Sequence, residues 1–225
     1  MNIVRPVRVR FAKRGMLIYI SHLDLTRTFT RAFMRAELPI WYSEGFNPHP
    51  RFNFALPLSV GVSSECEFLD MKFVSDMSDE EAKRRLSAAL PSDIEILEVY
   101  TPETKFNSIT GAEYEIWISA ASLADGCGEA ARLALTASPL TVLKRTKSGE
   151  RETDISPYIS GLETSFSDGV LKITATLCAD SENYLNPEYL VGVVEASLSL
   201  SLREDITSQV DIRRTAVFAG KKSFR

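Results

Sequence analysis

The chain has 225 residues, of which 44% are hydrophobic and 25% charged, a composition typical of a folded globular protein. The longest apolar run near its start, Met16 to Ile20, is too short for a signal peptide core or a membrane span. We therefore expect a cytoplasmic protein that is neither secreted nor membrane-embedded. The three widely spaced cysteines form no C-x-x-C pair, which argues against a disulfide framework and a zinc site.

The net charge of −4 is distributed unevenly along the chain. Nine of the 26 basic residues but only three of the 30 acidic residues lie within the first 60 positions. Such an asymmetry can create a local positive field on a protein that is acidic overall. The composition excludes a generally basic nucleic-acid binder, whereas the first quarter of the chain favours an anionic partner.

The first half of the chain carries local signals in the order strand, helix, strand, strand, helix, strand. Residues 3–13 alternate apolar and basic side chains, the period of a half-buried strand. Ser21 and Asp24 occupy capping-box positions at a helix start, and Pro39 is expected to end that helix. The remaining elements are strands at Ile40–Ser43, Arg51–Pro57, Glu65–Val74 and Ile94–Tyr100, and a helix at Asp79–Leu90 capped by Ser78.

After a polar linker at Thr101 to Thr110, the same order recurs in the second half. The expected elements are a strand at Ala112–Ser119, a helix at Gly128–Ala137, a hairpin of Leu140–Thr146 and Arg151–Ile159 about Lys147-Ser148-Gly149, strands at Leu162–Phe166 and Val170–Leu177 about Ser167-Asp168-Gly169, a helix from Asn186 to Leu198, and a strand at Ile206–Phe218. We therefore predict an α+β protein with two tandem ferredoxin-like (β-α-β-β-α-β) domains, residues 1–103 and 111–218. Residues 219–225 are expected to form a disordered basic tail.

The predicted first helix carries one candidate binding surface. Arg27, Arg31 and Arg35 recur every four residues, so that their guanidinium groups line one ridge of the helix. A ridge of arginines beside the free N–H groups of a helix start suits phosphate. A solvated face, or pairing with acidic residues elsewhere, is the competing interpretation. His22 lies where the helix dipole favours neutral imidazole, available as a base or as a hydrogen-bonding partner.

The segment Tyr42 to Arg51 carries a second candidate surface. Two prolines flank His49 and stiffen the loop, and Gly45 permits left-handed backbone geometry. Ordering a loop in advance lowers the entropic cost of binding. Phe46 and Phe52 are interpreted either as core anchors or as platforms on which bases stack. The binding candidates of both surfaces are Ser21, His22, Asp24, Arg27, Arg31, Arg35, Tyr42, Asn47, His49 and Arg51.

His22 and His49, the only two histidines, are the candidates for a catalytic role. Together with Asp24 they offer either metal ligands or an acid/base pair. No H-x-x-x-H or H-x-H spacing supports a metal, and no G-x-S-x-G, P-loop or Rossmann glycine pattern occurs. We therefore predict no metal and no cofactor.

The run from Ser21 to Asp70 resembles the signature of the radical-SAM-linked family (DUF2344), through SHLDL, the arginine helix ending in LP, YS-x-GFNPHP, a basic residue and FA-x-PL. Lys147-Ser148-Gly149, Asp154-Ile155 and Asn186-Pro187-Glu188 look like its later elements, although Phe33-Met34 stands where a second basic residue is common. The resemblance implies a partnership with a radical SAM enzyme, and a role acting on RNA or the translation machinery. The chain has no cluster-binding cysteine triplet, so it is not itself that enzyme.

Three functional hypotheses follow. The first is an accessory protein that binds RNA, or a translation-related partner, and presents it to a radical SAM enzyme. The second is a metal-independent endoribonuclease with His22 or His49 as general base. The third is a protein-only adaptor that grips the radical SAM enzyme through the loop.

Overall fold

The structure is a computed structural model that describes residues 4–146, 149–202 and 204–225, with Arg145 and Thr146 described in their backbone alone. The chain divides into two units, Met1–Phe106 with Arg225, and Asn107–Phe224. Strands and four α-helices occur in the described residues, which confirms the predicted α+β class. No helix in these ranges is long and apolar enough to cross a bilayer.

Within its described residues, 4–106, the first unit contains four strands and two α-helices. Its elements are β1 (Arg5–Lys13), α1 (His22–Arg35), β2 (Phe52–Phe54), β3 (Val62–Phe73), α2 (Asp79–Ala89) and β4 (Ile94–Tyr100), with a 3-10 turn at Gly15–Tyr19 between β1 and α1. Its strand pairs are antiparallel, and the strand order is β4-β1-β3-β2. The two helices connect strands that are not neighbours in this sheet.

An aromatic-rich core holds the first unit together. Alternate residues of β1 point into it, and they pack against one face of α1 that contributes Leu25, Phe29 and Phe33. The ring centroids of Phe11 and Phe29 lie 4.9 Å apart, and those of Phe29 and Phe54 lie 5.6 Å apart. Burial of such rings is the largest apolar contribution that a small core can draw on. The helix α1 is thereby fixed over the sheet, and its polar face is left exposed.

Apart from residues 147, 148 and 203, which are not described, the second unit contains a four-stranded sheet with a short edge strand, two α-helices and an additional strand pair. Its elements are β5 (Gly111–Ser119), α3 (Cys127–Leu135), β6 (Thr141–Thr146), β7 (Gly149–Asp154), β8 (Ile159–Ser167), β9 (Val170–Cys178), α4 (Glu188–Ser197), β10 (Gln209–Ala219) and β11 (Lys222–Ser223). The strand order is β10-β5-β9-β8, with β11 paired to β10, and β6 and β7 form a separate ladder. The turn between β8 and β9 has positive φ at Asp168 and Gly169, as its sequence predicts. Lys147 and Ser148 of the predicted turn between β6 and β7 lie outside the described residues.

Three predicted boundaries were wrong for local physical reasons. The helix α1 ends at Arg35, before Pro39, because Glu37 adopts a positive φ of 49° that the helix cannot continue through. Ile40–Ser43 is not a strand, and only single bridges at Ile40 and Tyr42 occur there. The predicted helix from Asn186 begins at Glu188, because Asn186 Oδ1 accepts the N–H of Glu188 and Pro187 is the cap residue.

The prediction of a disordered tail at residues 219–225 was also wrong. Lys222 pairs with Ala219 in β11, and the N–H of Phe224 donates to the carbonyl of Val217 at 2.8 Å. The side chain of Phe224 is buried, and Arg225 forms ion pairs with Glu98 and Glu103. One buried phenylalanine and a hairpin turn thus order a segment whose net charge alone indicated disorder.

Candidate functional site

The capping box at the start of α1 forms as the sequence predicts. Ser21 Oγ accepts the backbone N–H of Asp24 at 3.1 Å, and its hydroxyl donates to Asp24 Oδ2 at 2.7 Å. The Ser21 hydroxyl, and then the Arg27 guanidinium, hold the pKa of the Asp24 carboxyl below its usual range. Both Ser21 and Asp24 are therefore used to stabilise the helix start.

His22 lies exposed at this helix start, with the edge of its ring against Phe54, 5.2 Å between centroids. Beneath it is a narrow recess that Ser21 lines together with two buried charged residues, Lys13 and Glu67. Sequence patterning missed the burial of Lys13 and Glu67, because both occur in segments whose alternation predicts half-buried strands. A buried lysine and a buried glutamate at one recess are compatible with a structural ion network as well as with chemistry.

The three arginines of α1 do not act alike. Arg27 forms an ion pair with Asp24 at 3.2 Å, one helical turn earlier. Arg35 donates to the backbone carbonyl of Ala89, at the end of α2. Arg31 is exposed and has neither an ion pair nor a hydrogen bond among the described residues. Within the ridge, Arg31 is therefore the cation available to an external anion.

The loop between α1 and β2 is closed at its base. Tyr42 pairs with Pro50, and the N–H of Ser43 donates to the carbonyl of His49 at 2.9 Å. Ser43 Oγ accepts the N–H of His49 at 3.1 Å and lies 2.9 Å from its Nδ1, while the carbonyl of Asn47 lies 3.4 Å from the same nitrogen. The imidazole of His49 thus fastens its own loop. These bonds add to the stiffening that the flanking prolines predict.

The tip of this loop carries Phe46, which is the most exposed large hydrophobic side chain among the described residues, at 112%. Gly45 precedes it with φ of 120°, a backbone region that suits glycine. The interpretation of Phe46 as a core anchor was wrong, because a loop closed at Ser43 and His49 projects the ring away from the core. Phe52, the other candidate anchor, does pack against the core cluster.

Trp41 is the centre of a cationic cluster at the base of the same loop. The Arg51 guanidinium carbon lies 5.4 Å from the centroid of the Trp41 ring, and Lys72 Nζ lies 5.0 Å from it. Neither Arg51 nor Lys72 has an ion pair with a carboxylate in the part of the chain that the structure describes. Cation–π attraction holds two like charges beside one ring without neutralising them. We call these three residues the Trp41 cluster.

Alternation of side chains along the backbone places the Trp41 cluster away from the core. Met71 and Phe73 point into the core, so Lys72 between them points to the opposite face of the sheet. Ile40 is buried, and the next residue, Trp41, is half-buried and paired with β3 through its N–H to the carbonyl of Lys72. The cluster therefore lies on the sheet face opposite α1 and α2, where Lys72 is exposed and Trp41 is half-buried.

The structure brings some sequence-predicted site residues together and leaves others apart. Ser21, Asp24 and Arg27 form one bonded group, and Asn47 and His49 form another. His22 and His49 share no contact partner among the described residues, since the first packs on Phe54 and the second bonds Ser43 and Asn47. Trp41 and Lys72 were missed because nothing local in the sequence shows that a residue of β3 lies beside the loop.

The described residues hold no group of three or more His, Cys, Asp or Glu side chains arranged to bind a metal ion. Fold and site together define an α+β protein with a cationic, tryptophan-centred surface beside an ordered loop. The chain belongs to the family described as "Uncharacterized protein conserved in bacteria (DUF2344)", whose sequence pattern matches residues 6–187. The match confirms the DUF2344 part of the resemblance predicted from the motifs of the first half, and its description names no radical SAM enzyme. No curated protein matches the chain.

Several solved structures are similar to parts of the backbone. One is described as "Crystal Structure of a Cbf5-Nop10-Gar1 Complex", with 10% identity and a TM-score of 0.49 over 94% of this chain and 48% of that chain, so that this chain spans about half of its length. A second is an unknown protein from Galdieria sulphuraria, at 16% identity and a TM-score of 0.28, covering 94% and 99%. A third is a putative glycine cleavage system transcriptional repressor, at 9% identity and a TM-score of 0.24, also covering 94% and 99%. TM-scores below 0.5 identify neither a fold nor a function.

Proposed function

We propose that this protein is a non-catalytic, cytoplasmic accessory protein that binds single-stranded RNA through its first unit and presents it to a radical SAM enzyme. The observation that carries the RNA part is the Trp41 cluster. Arg51 and Lys72 keep two positive charges beside one aromatic ring with no carboxylate paired to them among the described residues. Phosphate neutralises such cations, and the ring offers a surface on which a base stacks whatever its sequence.

The ordered loop and Arg31 support the same proposal. The bonds between Ser43 and His49 fix the loop before any ligand arrives, so that less conformational entropy is lost on binding. The exposed amide of Asn47 at the tip is a hydrogen-bond donor and acceptor for a base edge. Arg31 adds one further uncommitted guanidinium on the exposed face of α1.

The tandem ferredoxin-like architecture is part of the proposal. In the first unit the order β4-β1-β3-β2 is that of the β-α-β-β-α-β arrangement. In the second unit the order β10-β5-β9-β8 is equivalent, if β6 and β7 are counted as an insertion after α3. In the first unit the sheet face opposite the helices is covered around Arg8, and the part around Lys72 and Trp41 is the part that we propose for single-stranded RNA.

The radical SAM enzyme is part of the proposal because the Ser21 to Asp70 run resembles the radical-SAM-linked family.

A protein-only adaptor is the second candidate function, and the exposed Phe46 side chain is the observation that favours it. A single aromatic ring on a rigid loop is a common anchor of protein interfaces. The endoribonuclease hypothesis has less support, because His22 and His49 have separate contacts and His49 is used to close its own loop.

The test is fluorescence anisotropy of a labelled oligo(U) RNA titrated with the wild-type protein at several salt concentrations. We expect binding that weakens as salt rises. In Arg51→Ala and in Lys72→Ala, the slope of log K against log salt should flatten by about 0.7 for each phosphate that the variant no longer neutralises. Arg84→Ala is the matched control, because Arg84 is an exposed α2 arginine already paired with Glu81.

Each outcome decides between the hypotheses. Salt-sensitive binding that both cluster variants reduce, without RNA cleavage, supports the proposal. Absence of oligo(U) binding, together with salt-insensitive recovery of a radical SAM protein that Phe46→Ala abolishes, selects the adaptor. Cleavage of the RNA that disappears in His22→Ala or His49→Ala selects the nuclease.

A further inference from the structure

The two tryptophans of the chain lie one in each unit, and each has one arginine and one lysine beside its ring. Trp41 lies beside Arg51 and Lys72, at 5.4 and 5.0 Å from its ring centroid. Trp117 lies beside Arg213 and Lys172, at 5.0 and 5.5 Å. In both cases a guanidinium and an ammonium lie within the range of cation–π attraction of one indole.

Trp117 occupies the middle of an open sheet face. Its neighbours along β5, Ile116 and Ile118, are fully buried, so Trp117 points to the opposite face and remains half-exposed. Lys172 lies directly across from it on β9, and Arg213 approaches from β10 on the other side. Both strands adjoining β5 therefore send a cation to the same ring.

We infer that Trp117 is a second base-stacking site for single-stranded RNA, located on the second unit. The inference rests on the proposed function and adds a site that the Trp41 cluster does not include. An aromatic side chain on the open face of a four-stranded sheet is a platform on which an unpaired base stacks. The planar guanidinium of Arg213 can also extend the stack over a neighbouring base.

The two sites differ in how far their cations are already paired with carboxylates, and this difference should be seen in the salt dependence of RNA binding. Lys172 Nζ is bonded to Glu115 Oε1 at 2.6 Å, and Asp211 lies opposite Trp117 on β10. The charge of Lys172 is therefore neutralised before any RNA arrives. Fewer counterions are released at this site, so it contributes stacking with little salt dependence. The Trp41 cluster, in contrast, contributes to the salt dependence.

Because the chain has two tryptophans, the fluorescence of each site can be measured separately in a variant that lacks the other tryptophan. In Trp41→Phe, the intrinsic indole fluorescence comes from Trp117 alone, and in Trp117→Phe it comes from Trp41 alone. Each variant is titrated with oligo(U) until the anisotropy of a labelled RNA shows saturation. We expect quenching of Trp117 in the Trp41→Phe protein, since a base stacked on an indole quenches its emission. In Trp117→Ala we expect about tenfold weaker binding with an unchanged salt slope.

The outcomes separate this inference from the proposed function. If wild-type protein binds oligo(U) but saturation leaves Trp117 emission unchanged and Trp117→Ala binds normally, the second site is wrong and the RNA-binding proposal stands. If wild-type protein does not bind oligo(U), both are wrong. The circular dichroism spectra of Trp117→Phe and Trp117→Ala must match that of the wild type, as a control for folding. Trp117→Phe keeps an aromatic ring and should therefore retain most of the RNA affinity that Trp117→Ala loses.

Discussion

Arg8 and Asp70 form a bidentate ion pair across neighbouring strands, and the Arg8 side chain is completely buried. Arg8 Nε donates to Asp70 Oδ1 at 2.6 Å and Nη2 donates to Oδ2 at 2.7 Å. The same Nη2 donates to the carbonyl of Thr104 at 2.8 Å, and the ring of Phe106 lies 4.7 Å from the guanidinium carbon. One side chain thus ties β1, β3 and the segment after β4 together.

The first prediction concerns this pair. Asp70→Ala removes the partner of a buried cation, so we expect the free energy of unfolding to fall by about 2–4 kcal/mol. Urea unfolding followed by circular dichroism measures it. Arg84→Ala breaks the exposed pair with Glu81 and should lower the free energy of unfolding far less than Asp70→Ala does. An equal and small effect of both substitutions would show that the buried pair adds no more stability than a surface one.

The second prediction concerns the cap of α1. Ser21→Ala removes the acceptor for the N–H of Asp24 and should lower the free energy of unfolding by about 1 kcal/mol, whereas Ser21→Thr should retain most of it. Because the Ser21 hydroxyl is the main cause of the lowered pKa of Asp24, Ser21→Ala should also raise that pKa toward its usual range. Carboxyl NMR titration measures the pKa directly. An unchanged value would contradict the role of the hydroxyl.

The third prediction concerns pH. Arg84 and then Arg85 hold the pKa of Glu81 at about 2, below its ordinary 4.5. A carboxyl with a lowered pKa in the folded state adds stability above its ordinary pKa, and this contribution is lost as the pH falls toward the folded value. We therefore expect Glu81→Gln to melt at a lower temperature than wild type above pH 4.5, with the gap closing near pH 2. A gap independent of pH would contradict the prediction.

The fourth prediction contrasts two phenylalanines. Phe29 is fully buried, and Phe29→Ala should cost about 3–5 kcal/mol. Phe46 is fully exposed on the loop tip, and Phe46→Ala should change the free energy of unfolding by less than about 0.5 kcal/mol. Chemical denaturation of both variants makes the comparison. A strongly destabilised Phe46→Ala protein would mean that the ring packs somewhere in solution and is not available to a partner.

The fifth prediction distinguishes the arginines of α1. Arg31→Ala should weaken oligo(U) binding and flatten its salt dependence, because Arg31 has no other partner among the described residues. Arg27→Ala should have a smaller effect, because Asp24 already neutralises Arg27. Anisotropy titrations at several salt concentrations compare the two. Equal losses of affinity in the two variants would indicate that RNA displaces Asp24 from Arg27. If neither substitution changes the RNA affinity, α1 is not part of the binding surface.

Local signals predicted what depends on neighbours in sequence. The Ser21 and Ser78 caps form as expected, and so does the tight turn at Asp168 and Gly169, because each needs only a few consecutive residues of the right type. The confirmed α+β class follows from the same periodicities. The position of the α1 end could not be predicted in this way, because the positive φ of Glu37 carries no distinctive residue type.

What the sequence could not predict depends on residues far apart in the chain. The Trp41 cluster requires that Lys72 of β3 lie beside a loop about 30 positions earlier, which only the pairing of Trp41 with β3 establishes. The Arg8–Asp70 pair has the same origin, since strand register sets it. The arginine ridge was visible as a pattern, but Asp24 and the carbonyl of Ala89 decide which of its members is free.

Because the core of the first unit is rich in aromatic rings, the two units should differ in their methyl NMR chemical shifts. Ring–ring contacts around Phe11, Phe29 and Phe54 fill the core of the first unit, whereas the buried strands of the second unit are filled mainly by Ile and Leu. Ring currents from the phenylalanines should spread the methyl NMR resonances of the first unit far upfield. Melting of each unit can then be followed in the intact chain, and ligand-induced protection can be assigned to one unit without cutting the protein.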